Sequence, residues 1–141
     1  MKGIYSLIVR VEQEKRIEVG KLGEILFDDG FYIYVGSAQS NLEKRISRHL
    51  SDDKNMHWHI DYLLEHGDIE KVLAFKKEKS WECKLADLLS SHFKKIKDFG
   101  SSDCSCASHL YYTQDSLSII CDHIKSSIKG KTITLKDLDI Q

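Results

Sequence analysis

The feature that most limits the fold is a strand, a tight turn and a helix in immediate succession at residues 31–50, FYIYVGSAQSNLEKRISRHL. Aromatic and β-branched residues such as those of FYIYV are typical of a strand, and the Gly-Ser pair that follows marks a turn. Ser40 and Glu43 have the spacing of a capping box, which predicts that a helix begins at Ser40. The segment therefore predicts a strand that runs directly into a helix.

The helix of this segment has two distinct sides. Leu42, Ile46 and Leu50 recur every fourth residue, which predicts a buried stripe. Arg45 and His49 are also four residues apart and share a neighbouring face. The pattern aims a basic helix surface at the end of the tyrosine-bearing strand.

The rest of the chain predicts further strands before this segment and helices after it. GIYSLIVRV at the N-terminus is typical of a strand, and alternation places Tyr5 on one face of it. RIEV and GEILF are further candidate strands, and DDG at 28–30 carries an Asp-Gly hairpin signal, so we expect GEILF to pair with the strand of Tyr34. Alternation also places Tyr32 and Tyr34 together on one face of that strand. If the strands of Tyr5 and Tyr34 pair with each other, we expect these two tyrosines side by side on one face of the sheet.

Three helices and three strands are predicted after residue 50. The helices are HWHIDYLLEHG, SWECKLADLLSSHFKKIKDFG with Ser80 as its cap and Gly100 past its end, and DSLSIICDHIKSSIKG; the strands are IEKVLAF, SHLYY and, as a strand or a tail, KTITLKDLDIQ. The pattern predicts an α+β fold, a small and mainly antiparallel sheet flanked by helices. We expect a single domain over 1–141, with a core at about 3–112 and a C-terminal helix and tail at 115–141.

Composition excludes several classes of protein. No apolar run approaches the ~20 residues of a membrane span, and the charged start of the chain does not resemble a signal peptide. The four cysteines form no disulfide framework, so we expect reduced thiols and a cytoplasmic protein. The formal net charge is −1, so any binding to nucleic acid must come from a local patch. The sequence does not determine the oligomeric state.

Several short motifs together resemble a known family. GIY at 3–5, YVG at 34–36 and NLEKRISRH at 41–49 resemble the GIY-YIG nuclease domain, which homing endonucleases share with the incision subunit of bacterial excision repair. Each tripeptide alone is a weak signal, but the ordered set in a strand-turn-helix context is much stronger. The resemblance covers about residues 3–112. HWHIDYLL and FGSSDCSCASHL resemble a small stand-alone subfamily.

This resemblance implies an endonuclease that hydrolyses phosphodiester bonds in DNA. The family's catalytic positions correspond to Tyr5, Tyr34, Arg45, His49 and Glu82 of this sequence. Glu82 would hold Mg²⁺ or Mn²⁺, and the ion would polarise a phosphate oxygen. The family also carries an asparagine near the end of the fold, but this sequence has none after Asn55.

The chemistry of these residue types suits the implied reaction. Arg45 offers phosphate a planar fork that Lys would not reproduce. We assign Tyr5 as the general base, which requires that its pKa fall well below ~10. Tyr34 would then orient water or phosphate, and His49 would be a second proton carrier.

Each residue also has a structural interpretation. The tyrosines could be ordinary strand packing, Arg45 a solvated charge, and Glu82 a carboxylate stabilised by the start of its helix. A non-catalytic nucleic-acid-binding module with the same fold is therefore the alternative function. The near-neutral charge and the missing asparagine favour that alternative, whereas the presence of all five motif residues favours the nuclease.

A local basic patch is the predicted contact with nucleic acid, and DNA is the partner we expect. It would consist of Lys44, Arg45, Arg48, His49, Lys54 and His57. His57 and Asp61 are four residues apart, so an ion pair between them is the structural interpretation of HWHID.

A second candidate site lies in SSDCSCASH. Asp103, Cys104, Cys106 and His109 are all possible metal ligands. Their Cys-x-Cys spacing is shorter than the usual zinc pair, and no second pair is evident. A structural loop, a reactive thiol and a zinc site remain alternatives here.

Overall fold

The computed structural model describes residues 1–102 and 104–140, and it has the α+β fold expected from the sequence. Eight strands are present in this described part of the chain: β1 (Gly3–Val11), β2 (Lys15–Glu18), β3 (Glu24–Phe27), β4 (Gly30–Ala38), β5 (Asp68–Phe75), β6 (Lys94–Lys95), β7 (Leu110–Thr113) and β8 (Thr132–Ile133). Six of them form one sheet in the order β6-β7-β4-β1-β5-β8, with every pairing antiparallel.

In the part of the chain that the structure describes, four α-helices cover the two faces of this sheet. They are α1 (Leu42–Leu50), α2 (His59–Leu64), α3 (Ser80–Ser90) and α4 (Leu117–Ser127). Because side chains alternate along β1, they pack into two separate cores. Leu7 packs into the core on the side of α1 and α2, and Ile8 packs into the core on the side of α3 and α4. β1 is thus buried on both faces. In the described residues, no helix is long and apolar enough to cross a bilayer.

The register of β1 against β4 places the two tyrosines on one face, as expected. Tyr5 pairs with Gly36 and Leu7 with Tyr34, so Tyr5 and Tyr34 are diagonal neighbours. Their ring centroids are 6.4 Å apart.

The predicted Asp-Gly hairpin is wrong. β3 pairs with β2 in a separate two-stranded sheet, and β4 pairs with β1 and β7 instead. The long, buried β1 offers β4 nine paired positions, whereas β3 has only four residues. Burial of a long strand in the central sheet therefore outweighs the local turn signal.

The predicted start and buried stripe of the first helix need correction. Asn41, not Ser40, is the N-cap, and its side chain accepts a hydrogen bond of 2.9 Å from the backbone N–H of Lys44. Leu42 and Ile46 are buried, but Leu50 is 36% exposed and His49 is buried in its place. A hydrogen-bonding partner inside the protein, described below, accounts for the buried histidine.

The third predicted helix is shorter than its sequence pattern. α3 ends at Ser90 rather than near Gly100, and Lys79, not Ser80, is its N-cap. The hydroxyls of Ser90 and Ser91 donate to the carbonyls of Asp87 and Leu88, a local bonding pattern that competes with helix continuation. The chain beyond them forms β6, which pairs with β7.

Gly36 permits the close approach of Tyr5 to the neighbouring strand. A Cβ atom added at Gly36 would overlap with the Tyr5 ring, and its distance to Cε2 would be 2.8 Å. Because the two residues are paired in the register, neither strand can shift to relieve the overlap without breaking ladder bonds. The glycine of YVG is therefore needed to let the Tyr5 ring lie across β4.

We expect Gly36→Ala to lower the free energy of unfolding by about 1–3 kcal/mol, the usual cost of overpacking a buried position. The cost should shrink when Tyr5→Leu is introduced as well, because the smaller side chain leaves room for the methyl group. Denaturant unfolding of both single variants and the double variant measures this coupling. An equal cost of Gly36→Ala in both backgrounds would contradict the proposed contact.

Candidate active site

An open groove gathers four of the five predicted catalytic side chains. It encloses about 450 Å³ and is lined by Tyr5, Tyr34, Ser37, Gln39, Ser40, Arg45, Trp58, Lys79, Glu82 and Gly100. Tyr5 and Tyr34 come from β1 and β4, Arg45 from α1 and Glu82 from the first turn of α3. Two helices thus approach the tyrosine pair, as the sequence predicts.

His49, the fifth predicted residue, lies behind the groove and contacts Tyr5. The Tyr5 hydroxyl and His49 Nε2 are 2.7 Å apart, and both side chains are buried. In the described part of the chain, His49 Nδ1 has no hydrogen-bonding partner. In the tautomer protonated at Nδ1, Nε2 accepts from the tyrosine.

The surroundings of His49 keep it neutral at pH 7. Burial lowers its pKa to about 3, and the positive charges of Arg45, Arg48 and Lys54 act in the same direction against the opposing charge of Asp61. A neutral imidazole can accept a proton or donate one, whereas an imidazolium can only donate. The Tyr5–His49 contact is therefore a bond between two neutral groups.

Both tyrosines of the groove are neutral phenols at pH 7. Burial raises the pKa of Tyr5 and of Tyr34 well above the ordinary value, and the negative charge of Glu82 raises both further. Arg45 lowers the pKa of both without cancelling the effect of burial. The lowered pKa that a tyrosine base requires is thus not produced by the protein's own groups.

Arg45 is held at the groove by a carbonyl and an aromatic ring. Its Nη1 donates a hydrogen bond of 2.9 Å to the carbonyl of Ser37, and its guanidinium carbon lies 4.4 Å from the centroid of the Trp58 ring. A guanidinium has five N–H donors in all, and one on Nη1 forms the bond to Ser37. Sequence reasoning missed Trp58, although its position beside two histidines in HWHID marked it as unusual.

Arg48 also packs against the Trp58 ring, with its guanidinium carbon 4.5 Å from the ring centroid, and it is anchored by a buried carboxylate. Its two terminal nitrogens donate to the two oxygens of Asp61, each over 2.9 Å. Asp61 Oδ2 also accepts from the backbone N–H groups of His57 and Trp58. Burial alone would raise the pKa of Asp61, but these hydrogen bonds lower it on balance.

The predicted ion pair between His57 and Asp61 is therefore wrong, because Asp61 pairs with Arg48 instead. Arg48 supplies the positive charge, and His57 contributes only its backbone N–H. A fully buried carboxylate needs a charged and hydrogen-bonded partner, and an arginine fork satisfies both oxygens at once.

The residues of the predicted basic patch differ in exposure and in their partners. Lys44 and His57 are exposed. Lys54 Nζ donates to the carbonyls of His49 and Ser51 at the end of α1, over 2.9 and 2.7 Å, which is a favourable place for a cation. Arg48, Lys54 and the buried His49 thus have internal partners.

A second cluster lies on the other side of Glu82. Glu82 Oε2 is 3.8 Å from Nδ1 of the buried His109, and His109 Nε2 is 3.5 Å from Cys104 Sγ and 4.0 Å from Cys83 Sγ. Cys106 belongs to the same cluster. Asp103, the other predicted ligand here, lies outside the described residues. Sequence reasoning missed Cys83; its place directly after Glu82 was the available signal.

Comparison with known proteins assigns the chain to a family. The model of a family described as "Domain of unknown function DUF123" matches residues 4–131, so the protein belongs to that family. No curated protein gives a significant match, and no solved structure does either.

The low pKa of His49 predicts a specific loss of stability in acid. Unfolding restores an ordinary histidine pKa of ~6.5, so below that pH the unfolded chain binds a proton that the folded protein takes up only near pH 3. The contribution of His49 is present above about pH 6.5 and falls by up to about 1.4 kcal/mol per pH unit as the pH decreases toward 3.

We expect the ¹⁵N chemical shifts of the His49 ring to stay those of a neutral imidazole from pH 8 to pH 5. Urea unfolding at pH 7 and pH 5 should show a smaller acid loss for His49→Gln than for the wild type. An imidazolium signal from His49 at pH 6 would contradict this assignment.

Proposed function

We propose that the protein is a metal-dependent endonuclease of the GIY-YIG type that hydrolyses phosphodiester bonds in DNA. The observation that carries the proposal is the convergence of Tyr5, Tyr34, Arg45 and Glu82 on one groove, with His49 bonded to Tyr5. These residues come from distant parts of the chain, and strand packing alone does not require a guanidinium and a carboxylate beside two tyrosines. The cytoplasm is the location we propose.

Arg45 is the phosphate-binding residue in this proposal. The Ser37 carbonyl and the Trp58 ring hold the guanidinium in place before substrate arrives. A positioned planar fork forms two hydrogen bonds with phosphate and stabilises the negative charge that develops during hydrolysis. Lys79, which lines the same groove, adds a second positive charge.

Glu82 is the metal-binding residue in this proposal. In the described residues it is the only carboxylate that lines the groove, and it is partly exposed there. One carboxylate fits Mg²⁺ or Mn²⁺, because Mg²⁺ keeps several waters and commonly binds one or two carboxylates together with substrate phosphate. The ion would polarise a phosphate oxygen and add positive charge beside the tyrosines.

Tyr5 handles the proton in this proposal, and His49 orients it. Tyr5 can take a proton from the attacking water only after its own hydroxyl has been deprotonated. Burial raises the pKa of Tyr5 and Arg45 opposes only part of that rise, so this step would need the added positive charge of the ion. His49 Nε2, at 2.7 Å, accepts the hydrogen bond of the neutral hydroxyl and holds it in one direction.

A non-catalytic nucleic-acid-binding module is the second candidate. The raised pKa of both tyrosines favours it, because neutral buried phenols are ordinary parts of a protein core. In that case Arg45 would bind phosphate and Glu82 would have no catalytic role. The two candidates differ in whether any substrate is cut.

Replacing Glu82 tests the metal-binding role. We expect Glu82→Gln to lower single-turnover cleavage by at least the ~10²-fold typical of losing one charge-stabilising group. Binding to the same DNA, measured without Mg²⁺, should survive. Asp87→Asn is the matched control, since it removes an exposed carboxylate from the same helix. Full cleavage by Glu82→Gln would place the metal elsewhere, and no cleavage by the wild type on branched, single-stranded and duplex DNA would favour the binding module.

Replacing Arg45 tests the phosphate contact. We expect Arg45→Lys to keep part of the DNA affinity but to lose cleavage, because an ammonium supplies charge without the planar fork. Arg45→Ala should weaken both steps. Titrations at fixed salt, with the exposed Lys44→Ala as control, separate this contact from general attraction to DNA. Cleavage by Arg45→Lys at the wild-type rate would contradict the role of the fork.

A further inference from the structure

The cluster beside the groove contains three thiols and an imidazole, and we propose that it binds one Zn²⁺ ion. Its members are Cys83, Cys104, Cys106 and His109, and their ligand atoms all lie within 4.8 Å of one another. Three are half-buried and His109 is fully buried. This site goes beyond the proposed nuclease function and does not depend on it.

The spacing of the ligand atoms fits a tetrahedral zinc ion. Zinc bonds of about 2.3 Å to sulfur and about 2.0–2.1 Å to nitrogen place two sulfurs roughly 3.8 Å apart and a sulfur and a nitrogen roughly 3.6 Å apart. His109 Nε2 lies 3.5 Å from Cys104 Sγ and 4.0 Å from Cys83 Sγ. These two distances lie on either side of the roughly 3.6 Å expected between sulfur and nitrogen. Small side-chain adjustments complete the geometry.

The chemistry of the ligands selects zinc over the ion proposed for the groove. Thiolates and imidazole favour Zn²⁺, whereas Mg²⁺ and Mn²⁺ prefer carboxylate, carbonyl and water oxygens. An iron–sulfur cluster fits poorly, because its four ligands are shared among two or more iron atoms, whereas these four ligand atoms all lie within 4.8 Å of one another, around a single centre. Four protein ligands leave no open position, so the site is structural rather than catalytic.

The two parts of the chain that meet at the site explain what the ion would stabilise. Cys83 lies on α3, while the other three ligands lie within residues 104–109, where the chain is irregular and forms no strand or helix. A bound ion would join this loop to the first turns of α3. Metal binding of this kind contributes directly to folding.

Glu82 completes the surroundings of the proposed ligand set. Histidines that bind metal through one nitrogen usually present the other to a carboxylate or carbonyl, which sets the tautomer and ring orientation. His109 turns Nε2 toward the sulfurs and Nδ1 toward Glu82. The zinc site and the groove therefore share the carboxylate of Glu82 as a boundary.

Metal analysis of the purified protein, expressed without a histidine tag, tests the proposal. We expect one zinc ion per chain, and cobalt substitution should give the absorption bands of a tetrahedral thiolate site. Cys83→Ser and Cys106→Ser should lose the bound zinc, and Cys121→Ser should keep it, because Cys121 is buried on α4 outside the cluster. Iron in place of zinc, a metal-free protein that does not take up added Zn²⁺, or equal loss in Cys121→Ser would overturn the proposal.

A second measurement needs no variant and so does not depend on whether the serine variants fold. The wild-type protein is titrated with a mercurial that reacts with thiols, in the presence of a dye that reports free zinc. We expect zinc to be released as the cluster thiols react. Reaction of the thiols without release of zinc would overturn the proposal, even if the proposed nuclease activity were found.

Discussion

The hydrogen bond between Tyr5 and His49 joins the centre of the sheet to the helix that carries the groove's arginine. Tyr5 lies on the central strand, where its ring can cross β4 only because Gly36 has no side chain. Its hydroxyl then reaches His49, one turn after Arg45 on the same helix. The hydrogen bond thus fixes the helix that carries Arg45 against the sheet, while the Ser37 carbonyl and the Trp58 ring hold the guanidinium itself. Removing the glycine, the hydroxyl or the imidazole would disturb the same contact.

The charges around that hydrogen bond are arranged so that His49 stays neutral. The positive charges of Arg45, Arg48 and Lys54 lower the pKa of His49, and the negative charge of Asp61 raises it. Asp61 is already fully used by Arg48 and two backbone N–H groups. Protonating His49 would therefore add a buried positive charge beside three cations, while Asp61, whose charge opposes theirs, already pairs with Arg48. Burial raises the pKa of Tyr5, and of these three cations Arg45, which lines the groove, opposes that rise.

The sequence predicted those parts of the fold that depend on short-range periodicity. Period-two alternation placed Tyr5 and Tyr34 on one face, and the amphipathic pattern placed Arg45 beside them. Contacts between distant segments could not be read in this way. The partner of Asp61 is Arg48 rather than the nearby His57, because a buried carboxylate takes the partner that satisfies both oxygens. Cys83 is 21 residues from Cys104 along the chain, and no spacing rule links them; only folding of the loop against α3 brings them together.

The first turn of α3 connects the two proposed sites and also keeps them chemically separate. Glu82 and Cys83 are consecutive, so one carries an oxygen ligand toward the groove and the other a sulfur ligand toward the cluster. The carboxylate of Glu82 is a hard ligand and the thiolate of Cys83 is a soft one. Ligand type alone would therefore separate the two ions, because Mg²⁺ has little affinity for thiolate and Zn²⁺ prefers the thiolate set. A zinc ion in the cluster would orient His109, and His109 in turn faces the oxygen of Glu82 at 3.8 Å. In this arrangement the zinc cluster would limit the movement of the Glu82 side chain. A metal site with one carboxylate needs that carboxylate to be held in place before the ion binds.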